Sequence, residues 1–370
     1  MAKKGKIASP EELGFDFFGT TESRTKFGIN DFISTGSYNL NRIISGSLFK
    51  GIAEKRVTAL IGEEAVGKSL FALCVIREAQ KKDYICVVFD TEGALTPEFA
   101  ENSGIDLDKL IYKQISTIEQ FRRDTLKLIQ WKNEKFGSKK KMLVILDSYG
   151  GLTAQKFIND VDGGKDTMDM GIFAKIAKAT FKMIGALMAP HNVTLIYTNH
   201  ITTDSSGYVL KQVQTGGMAA RYYPSTVVML KKKMLKDGDD ITGVHIKAQT
   251  TKSRIVPAYQ SANIYLRWDS GLDPTAGLFD IAMDMGFFEQ ATKEKDGVIE
   301  EVKGWYRIPG QSKNQRKDDL KHTLSDPAVL EELDKKIQEL GFKTIEPITE
   351  IGRIIEDDDT VEENDEQTAV

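Results

Sequence analysis

The residues with the clearest chemical meaning form a candidate phosphate-binding loop in the first third of the chain. They match G-x-x-x-x-G-K-[ST], with two glycines, a lysine and a serine at fixed spacing: Gly62, Glu63, Glu64, Ala65, Val66, Gly67, Lys68, Ser69 and Leu70. The glycines permit a tight turn whose backbone N–H groups surround an anion, while Lys68 reaches the outer phosphates and the Ser69 hydroxyl binds Mg²⁺. We therefore expect this segment to bind a nucleotide.

The sequence on both sides of the loop suits this motif. Residues 56–61 are rich in β-branched side chains, which predicts a buried strand, and residues 69–79 have the pattern of a helix. A helix at this position directs the positive end of its dipole at the phosphates. This setting argues against a chance match.

Two carboxylates follow other predicted strands. Glu92 lies just beyond a predicted strand at residues 84–90, and Asp147 ends a second apolar strand that begins at residue 142. Ligands of open parallel sheets bind outside the carboxyl ends of the strands, so both acids should face the phosphate loop. Glu92 is suited to activate a water molecule, with an ordinary loop carboxylate as the alternative, and Asp147 is expected to hold Mg²⁺ together with Ser69.

These residues require a sheet to position them, and the chain predicts one. Strands and helices alternate from residue 56 to residue 200, which favours a parallel α/β sheet with right-handed crossovers. Helices are predicted at residues 117–132 and 172–189, and a strand at residues 193–200 ends in His200. Strands at residues 226–230 and 244–248 suggest an antiparallel extension.

Lys252 and Arg254 follow that extension at alternating positions, so we expect them to face the same side of a strand. Further on, helices are predicted at residues 278–285 and 326–340, and they indicate a small C-terminal lobe.

Two long segments without a predicted helix or strand, at residues 151–167 and 201–217, follow the strands that end at Asp147 and His200. They contain glycines and lysines, and the second contains the aromatic Tyr208, which suit backbone neutralisation and base stacking on single-stranded nucleic acid. The residues that we expect to contact DNA are Lys165, Tyr208, Lys211, Gly216 and Gly217. From the residues alone, plain disorder is an equal alternative.

Charge is distributed unevenly along the 370 residues. The formal net charge is −4, but residues 356–370 contain eight acidic side chains and no basic one, so the remainder carries +4. A mildly basic body is compatible with nucleic acid without proving it. The tail is expected to be disordered, and it acts either as a tethered competitor for the DNA surface or as a solubility device.

The composition indicates the class of protein and its cellular compartment. The chain is 41% hydrophobic and 28% charged and has no apolar run long enough for a bilayer, which suits a globular protein that does not enter membranes. The basic N-terminus lacks the apolar stretch of a secretory signal. Cys74 and Cys86 are expected to be buried free thiols, as in a reducing cytoplasm.

Taken in order, the motifs resemble those of the RecA family of recombinases, and within it most closely the UvsX type of T-even-like bacteriophages. The likeness covers roughly residues 30–325. Besides the phosphate loop, its markers lie at residues 34–37, 89–97, 146–148, 198–200, 216–217, 252–254, 271–274 and 304–306.

The resemblance implies roles for the catalytic residues. Glu92 corresponds to the family's water-activating glutamate, and His200 to the position that senses the terminal phosphate and signals to the second DNA loop. Lys252 and Arg254 correspond to cations that reach the nucleotide of an adjacent subunit. Phe99 corresponds to the aromatic residue that stacks on adenine, with Thr96 nearby.

The resemblance also implies the surfaces that other molecules contact. The segments 151–167 and 201–217 correspond to the family's two DNA-binding loops, and Arg221 and Tyr222 to interface positions. The N-terminal arm, which contains Phe17 and Phe18, is similar to the segment that adds a strand to a neighbouring protomer, although an arm folded on its own domain is an equal alternative. Bacterial members have a larger C-terminal domain that gathers duplex DNA, and this chain departs from them there.

We therefore expect an α/β fold: a RecA-like P-loop NTPase core with a mostly parallel twisted sheet flanked by helices, an N-terminal oligomerisation arm, a small C-terminal lobe and an acidic disordered tail. The expected boundaries are residues 1–30 for the arm, 31–275 for the core, 276–345 for the lobe and 346–370 for the tail.

The resemblance implies a DNA-dependent ATPase that uses ATP and Mg²⁺, forms helical homo-oligomeric filaments and exchanges strands between single-stranded and double-stranded DNA. It also implies a single-strand-binding protein and a recombination mediator as partners, and a cytoplasmic location, in the host cell if the chain is phage-encoded. A ring ATPase such as a replicative helicase is the main alternative, although residues 1–30 are too short for a primase-binding domain. A regulator that binds ATP without hydrolysing it is the third reading, and it conflicts with the joint presence of Lys68, Glu92 and Asp147.

Overall fold

The computed structural model describes residues 19–164, 170–204, 211–214, 217–237, 240–295 and 298–341. Its helices are α1 Thr21–Phe27, α2 Tyr38–Ser45, α3 Lys68–Lys81, α4 Pro97–Asn102, α5 Ile118–Phe136, α6 Gln155–Asp162, α7 Met170–Met188, α8 Gly217–Tyr222, α9 Leu278–Asp284, α10 Lys317–Thr323 and α11 Pro327–Leu340.

Its strands are β1 Phe32–Ile33, β2 Ile52–Ala53, β3 Val57–Gly62, β4 Ile85–Asp90, β5 Leu110–Gln114, β6 Met142–Asp147, β7 Val193–Asp204, β8 Lys211–Gln214, β9 Thr226–Asp237, β10 Asp240–Ser253, β11 Ser261–Arg267, β12 Gly271–Leu272, β13 Glu289–Lys295, β14 Val298–Arg307 and β15 Gln315–Arg316.

One large sheet organises the molecule. Its strand order is β12-β11-β10-β9-β3-β7-β6-β4-β5, and β8 pairs with β7 outside this path. The strands from β9 to β5 pair in parallel, whereas β10, β11 and β12 continue the sheet in antiparallel fashion. The predicted mostly parallel α/β sheet with an antiparallel extension is therefore confirmed.

Both faces of the central strands are buried, which explains their continuous apolar sequences. Along β3, Ala59 and Ile61 pack in the cluster that contains Phe121 of α5 and Phe181 of α7. Leu60 points to the other face, where the cluster includes residues of α2 and α3. The phosphate loop thus leaves a strand that is fixed from both sides.

The predicted loop at residues 151–167 was partly wrong. Residues 155–162 form α6, in which Phe157, Ile158 and Val161 have the spacing of one helix face, a signal too short to separate from a polar loop. The DNA-contact prediction for Lys165 lies outside the described residues.

The predicted loop at residues 201–217 was also partly wrong. The strand that was expected to end at His200 continues to Asp204 and pairs antiparallel with β8, with Ile201 opposite Gln214. Lys211 therefore begins a strand and Gly217 begins α8, while Tyr208 and Gly216 lie outside the described residues. The β-branched residues 201–203 favour this extension.

The described part of the N-terminal arm contacts its own core. Lys55 Nζ donates a hydrogen bond to the Thr25 carbonyl, and the Asn30 N–H donates to Glu54 Oε1. Phe17 and Phe18 precede the described residues, so their expected role at a neighbouring subunit stays a prediction.

The C-terminal lobe has its own apolar cluster, which includes Phe279, Phe288 and Leu333 and reaches Leu48 of the core. The buried Asp334 accepts hydrogen bonds from the Leu48 N–H and the Ser47 hydroxyl, which joins α11 to the loop after α2. The bounds of the four segments stay a prediction, and the acidic tail lies outside the described residues. None of the helices in the described ranges combines the length and apolar character of a membrane span.

Candidate nucleotide-binding site

The candidate phosphate loop connects β3 to α3, as the sequence predicts. Gly67 caps the helix with φ +93°, a left-handed conformation that glycine adopts without strain. Lys68 is the first residue of α3, and its Nζ donates to the carbonyl oxygens of Gly62 at 3.0 Å and Glu63 at 2.6 Å. The lysine is thereby held inside the turn of the loop.

Burial and nearby carboxylates act on Lys68 in opposite directions. Burial lowers the pKa of its ammonium group, whereas the negative charges of Asp147 and Glu92 raise it. Asp147 ends β6 and Glu92 follows β4, so the structure brings together the three charged groups that the sequence predicted for the nucleotide site.

Two side chains contact one oxygen of Glu92. Ser148 Oγ donates to Glu92 Oε1 at 2.9 Å, and His200 Nε2 lies 3.3 Å from the same oxygen. The carboxylate is half exposed, with 51% of its side-chain surface accessible. Sequence reasoning predicted Glu92 and His200 as functional residues but missed Ser148, which follows the acidic end of β6.

Asp90 organises the turn that carries Glu92. Its Oδ1 accepts hydrogen bonds from the N–H groups of Glu92 at 2.9 Å and Gly93 at 2.8 Å, and its Oδ2 accepts from the Leu95 N–H at 3.1 Å. Tyr112 donates its hydroxyl to the same Oδ2 at 3.2 Å. Sequence reasoning missed this role, although an Asp before a short turn is a recognised turn signal.

The expected magnesium residues line one cavity. Ser69 lies exposed in the first turn of α3, and Asp147 lies at the carboxyl end of β6, where it accepts a hydrogen bond from the Thr198 hydroxyl. A hydroxyl beside a carboxylate is a suitable oxygen ligand set for Mg²⁺, which keeps its remaining ligands as water and phosphate oxygens.

The cavity has a volume of about 650 Å³, within the range of small-molecule sites. One side is formed by the phosphate loop with Glu92, Phe99, Asp147 and His200. Phe99 is 43% exposed on α4, as a stacking aromatic would be. Thr96 instead caps α4, because its hydroxyl accepts from the Phe99 N–H at 3.2 Å, and it does not line the cavity.

The opposite wall comes from the antiparallel extension of the sheet. It consists of Val244 and Ile246 of β10, Leu266 of β11 and Trp268, which is 60% exposed. The sequence does not reveal this wall, because it depends on how β10 and β11 pair with β9 across the sheet.

Lys252 and Arg254 lie away from this cavity. Lys252 Nζ donates to the carbonyl oxygens of Arg221 at 2.9 Å and Tyr222 at 2.8 Å. The positive charge of Arg254 acts on Arg56, just before β3. β10 ends at Ser253, so Arg254 lies one residue beyond the strand, and burial together with the positive charge of Arg254 lowers the pKa of Lys252. The expectation that both cations face the same side stays a prediction.

Arg221 and Tyr222 occupy the end of α8. Arg221 is exposed, and Tyr222 is 60% exposed. Together with Lys252, they place two cations and an aromatic ring at one surface. Such a surface suits an interface, since arginine and tyrosine are enriched in interfaces.

A basic face on the extension of the sheet was missed by sequence reasoning. Lys231 lies opposite Lys247, and Lys233 opposite His245, so alternation places all four on one face of β9 and β10. On β11 the same face carries Tyr265, which stacks on His245 at 4.8 Å between ring centroids, and Arg267. We call this set, Lys231, Lys233, His245, Lys247, Tyr265 and Arg267, the basic sheet face.

Comparisons with known proteins agree with this geometry. Residues 20–273 match the family profile of the RecA N-terminal domain. The chain is 28% identical over 282 residues to a recombination and repair protein of Enterobacteria phage T4, covering 76% of this chain and 68% of that protein. It is 27% identical over 315 residues to the protein RecA of Sulfurovum sp., covering 84% of each. A mitochondrial DNA repair protein recA homolog of Dictyostelium discoideum is 26% identical over 320 residues, covering 85% of this chain and 65% of that protein.

Proposed function

The chain belongs to the RecA family of recombinases, and from this membership we propose that it is an ATP-dependent DNA strand-exchange recombinase. It polymerises on single-stranded DNA, pairs that strand with a homologous duplex and hydrolyses ATP for turnover. A ring helicase is not favoured, since the similar proteins are named for recombination and repair.

The observation that carries this proposal is the convergence of Lys68, Glu92, Asp147 and His200 on one cavity. This cavity lies at the carboxyl ends of β3, β4 and β6, level with His200 within β7. RecA proteins in general use ATP with Mg²⁺. In this proposal the phosphate loop cradles the phosphates, Lys68 contacts the outer ones, and Ser69 and Asp147 hold the Mg²⁺. The bound ion supplies charge neutralisation at the phosphate that is transferred.

Glu92 is the general base of the proposed reaction. Its carboxylate is exposed enough to contact a water molecule, and the hydrogen bonds around Asp90 fix the backbone beneath it. The carboxylate accepts a proton from the attacking water, and the Ser148 hydrogen bond orients the acceptor oxygen.

In this proposal His200 links the nucleotide to DNA. It contacts Glu92, and four residues later the same strand ends at Asp204, in the hairpin that β7 forms with β8. A shift of Glu92 on nucleotide binding therefore moves a residue that shares a strand with the second proposed DNA segment. We propose that Lys211, Gly217, Tyr208 and Gly216 of this segment, and Lys165 of the first, contact the single strand.

The adenine site lies between aromatic groups. Phe99 on α4 stacks on the base, and Trp268 limits the far wall of the same cavity. The hydroxyl of Thr96 supports this arrangement indirectly, since it fixes the N-terminus of the helix that presents Phe99.

The basic sheet face is our candidate for holding duplex DNA. Its four Lys and Arg side chains neutralise phosphates, and the stacked His245 and Tyr265 present a flat surface. This assignment offers a route to duplex capture in a chain whose C-terminal lobe is small.

Assembly completes the proposed enzyme. Lys252 and Arg254 act on the nucleotide of a neighbouring protomer in a helical filament, with Arg221 and Tyr222 at the same interface. Phe17 and Phe18 of the N-terminal arm contact a neighbour. A single-strand-binding protein and a recombination mediator assist loading, in the cytoplasm of the host if the gene is viral.

Electron microscopy with ATP and single-stranded DNA tests the assembly, and parallel strand-exchange and unwinding assays test the reaction. We expect extended filaments, strand exchange without unwinding, and ATP turnover that rises when single-stranded DNA is added. Rings with unwinding activity would support the helicase instead. Turnover absent under all conditions would support a regulator.

A further inference from the structure

Strand β9 carries three consecutive lysines, and its middle one has a different environment from its neighbours. Lys231 and Lys233 belong to the basic sheet face, so alternation directs Lys232 to the opposite face. There its Nζ donates hydrogen bonds to the carbonyl oxygens of Glu64 at 2.9 Å and Ala65 at 3.4 Å. These two residues form the tip of the candidate phosphate loop.

This tip requires external support. Glu63, Glu64 and Ala65 are all exposed, so little packing holds them. Ala65 also has φ +52°, a left-handed conformation that is costly for a residue with a side chain. Lys232 supplies a charge-assisted contact at the point of strain.

The contact also determines where the backbone N–H groups point. In a trans peptide the C=O and the following N–H point in opposite directions. When Lys232 binds the carbonyls of Glu64 and Ala65, the N–H groups of Ala65 and Val66 are directed away from it. Ala65 and Val66 line the cavity, and backbone N–H groups are what a phosphate loop offers to an anion.

The strand itself is held close to the loop. A Cβ atom added to Gly62 would approach the Leu230 carbonyl oxygen to 2.5 Å, and one added to Gly67 would meet Ile246 at 3.3 Å. The base of Lys232 therefore has little freedom to move relative to the loop. The positive charge of Lys232 also lowers the pKa of Lys68, so the two ammonium groups share one electrostatic environment.

We infer that Lys232 is a positioning residue of the nucleotide site, which clamps the loop tip so that its N–H groups are prepared for the phosphates. The inference rests on the proposed binding of ATP at this loop. It assigns the three consecutive lysines of β9 to two tasks, with nucleotide positioning on one face and nucleic acid on the other.

The test compares the full-length wild type with Lys232→Gln and Lys232→Arg, and with Lys236→Gln as the charge-matched control. Lys236 lies four residues further along β9, about 13 Å beyond the contact at ~3.3 Å per residue. ATP affinity is measured by calorimetry without DNA, and KM and kcat with single-stranded DNA. Thermal unfolding of each variant verifies its folding.

We expect Lys232→Gln to raise the Kd and KM for ATP about tenfold, as for loss of a charge-assisted hydrogen bond, while kcat changes less than about twofold. Lys232→Arg should restore most of the affinity, because its guanidinium also donates to carbonyls. Lys236→Gln should match the wild type.

The outcomes separate the two proposals. A wild type that fails to bind ATP would refute the proposed function itself. If the wild type binds ATP and the ATP affinity of Lys232→Gln equals that of the wild type or of Lys236→Gln, the inference alone is overturned. If Lys232→Gln is unstable, Lys232→Arg decides, and a folded arginine variant with affinity as low as that of Lys68→Ala would also overturn it.

Discussion

Lys252 is level with the amino-terminal half of β3, whereas Lys68 lies beyond the carboxyl end of that strand. In the register of β10, β9 and β3, Lys252 is level with Val227 and Ala59, whereas Lys68 follows Gly62 at the carboxyl end of β3. The Lys252 ammonium points to the end of α8, where it binds two carbonyls. A chain therefore does not bring Lys252 to its own phosphate loop.

Complementation between two inactive variants tests whether Lys252 and Arg254 act in trans. Lys68→Ala lacks a working loop but keeps Arg254, and Arg254→Ala has the reverse defect. In an equimolar mixture we expect up to about a quarter of wild-type ATPase activity, the share of interfaces that combine both intact groups in a random head-to-tail assembly. Each variant alone should remain inactive. Co-sedimentation on DNA verifies mixing, and co-assembly without any rescue would place the cations in cis.

The role of Glu92 predicts a loss in turnover rather than in binding. Glu92→Gln should bind ATP and DNA nearly as the wild type does, while kcat falls about 10²–10⁴-fold because the general base is lost. Ser148→Ala keeps the carboxylate and removes one hydrogen bond to it, so its loss should be roughly tenfold or less. Single-turnover kinetics measure the chemical step. A Glu92→Gln enzyme within tenfold of the wild type would require a different base.

Asp90 should control kcat through the position of Glu92. In Asp90→Asn one carboxylate oxygen becomes an NH₂ group, which cannot accept from the Leu95 N–H or from Tyr112. We expect kcat to fall roughly 10–100-fold, as for small displacements of a catalytic group, with ATP affinity changed less than about threefold. Tyr112→Phe removes only one donor and serves as the milder comparison. Equal losses in affinity and kcat would indicate general damage to the fold.

Asp31 should make the free energy of unfolding depend on pH in the acidic range. Partial burial alone would raise the pKa of this carboxyl, but hydrogen bonds from Lys141, Lys82 and the Phe32 N–H lower it to about 2. The unfolded value is near 3.8, so the carboxylate stabilises the folded chain above about pH 4, and this contribution is lost as the pH falls towards 2.

Denaturant unfolding of Asp31→Asn at several pH values measures this contribution. The variant should be less stable than the wild type at pH 7, and the difference should shrink between pH 4 and pH 2. Asp83→Asn is the control, since the side chain of Asp83 is 91% exposed and surface ion pairs contribute little. A wild type and an Asp31→Asn variant with parallel pH profiles would contradict the assignment.

The sequence predicted the parts of the site that lie close together in the chain. Gly62, Lys68 and Ser69 fall within one motif, and the apolar runs that end at Asp90 and Asp147 were recognisable as strands. The strand ends also predicted that Glu92 and Asp147 would meet, because parallel strands share one carboxyl edge.

The contacts that complete the site could not be predicted in this way. Ser148 and His200 reach Glu92 across 56 and 108 residues of sequence, and Lys232 reaches Glu64 across 168. Such contacts depend on strand order and register, which periodicity does not encode. The extension of β7 to Asp204 was missed for a local reason, since a threonine-rich strand resembles a polar loop.

The separation of Lys252 from Lys68 has an arithmetical consequence for any assembly in which the cations act in trans. An open filament of n protomers contains n − 1 complete sites, because one terminal protomer has no neighbour to supply its cations. A closed ring of n protomers contains n. Activity per protomer should therefore increase with the length of the DNA and level off in a filament, whereas a ring would have the same activity per protomer on every DNA long enough to occupy it.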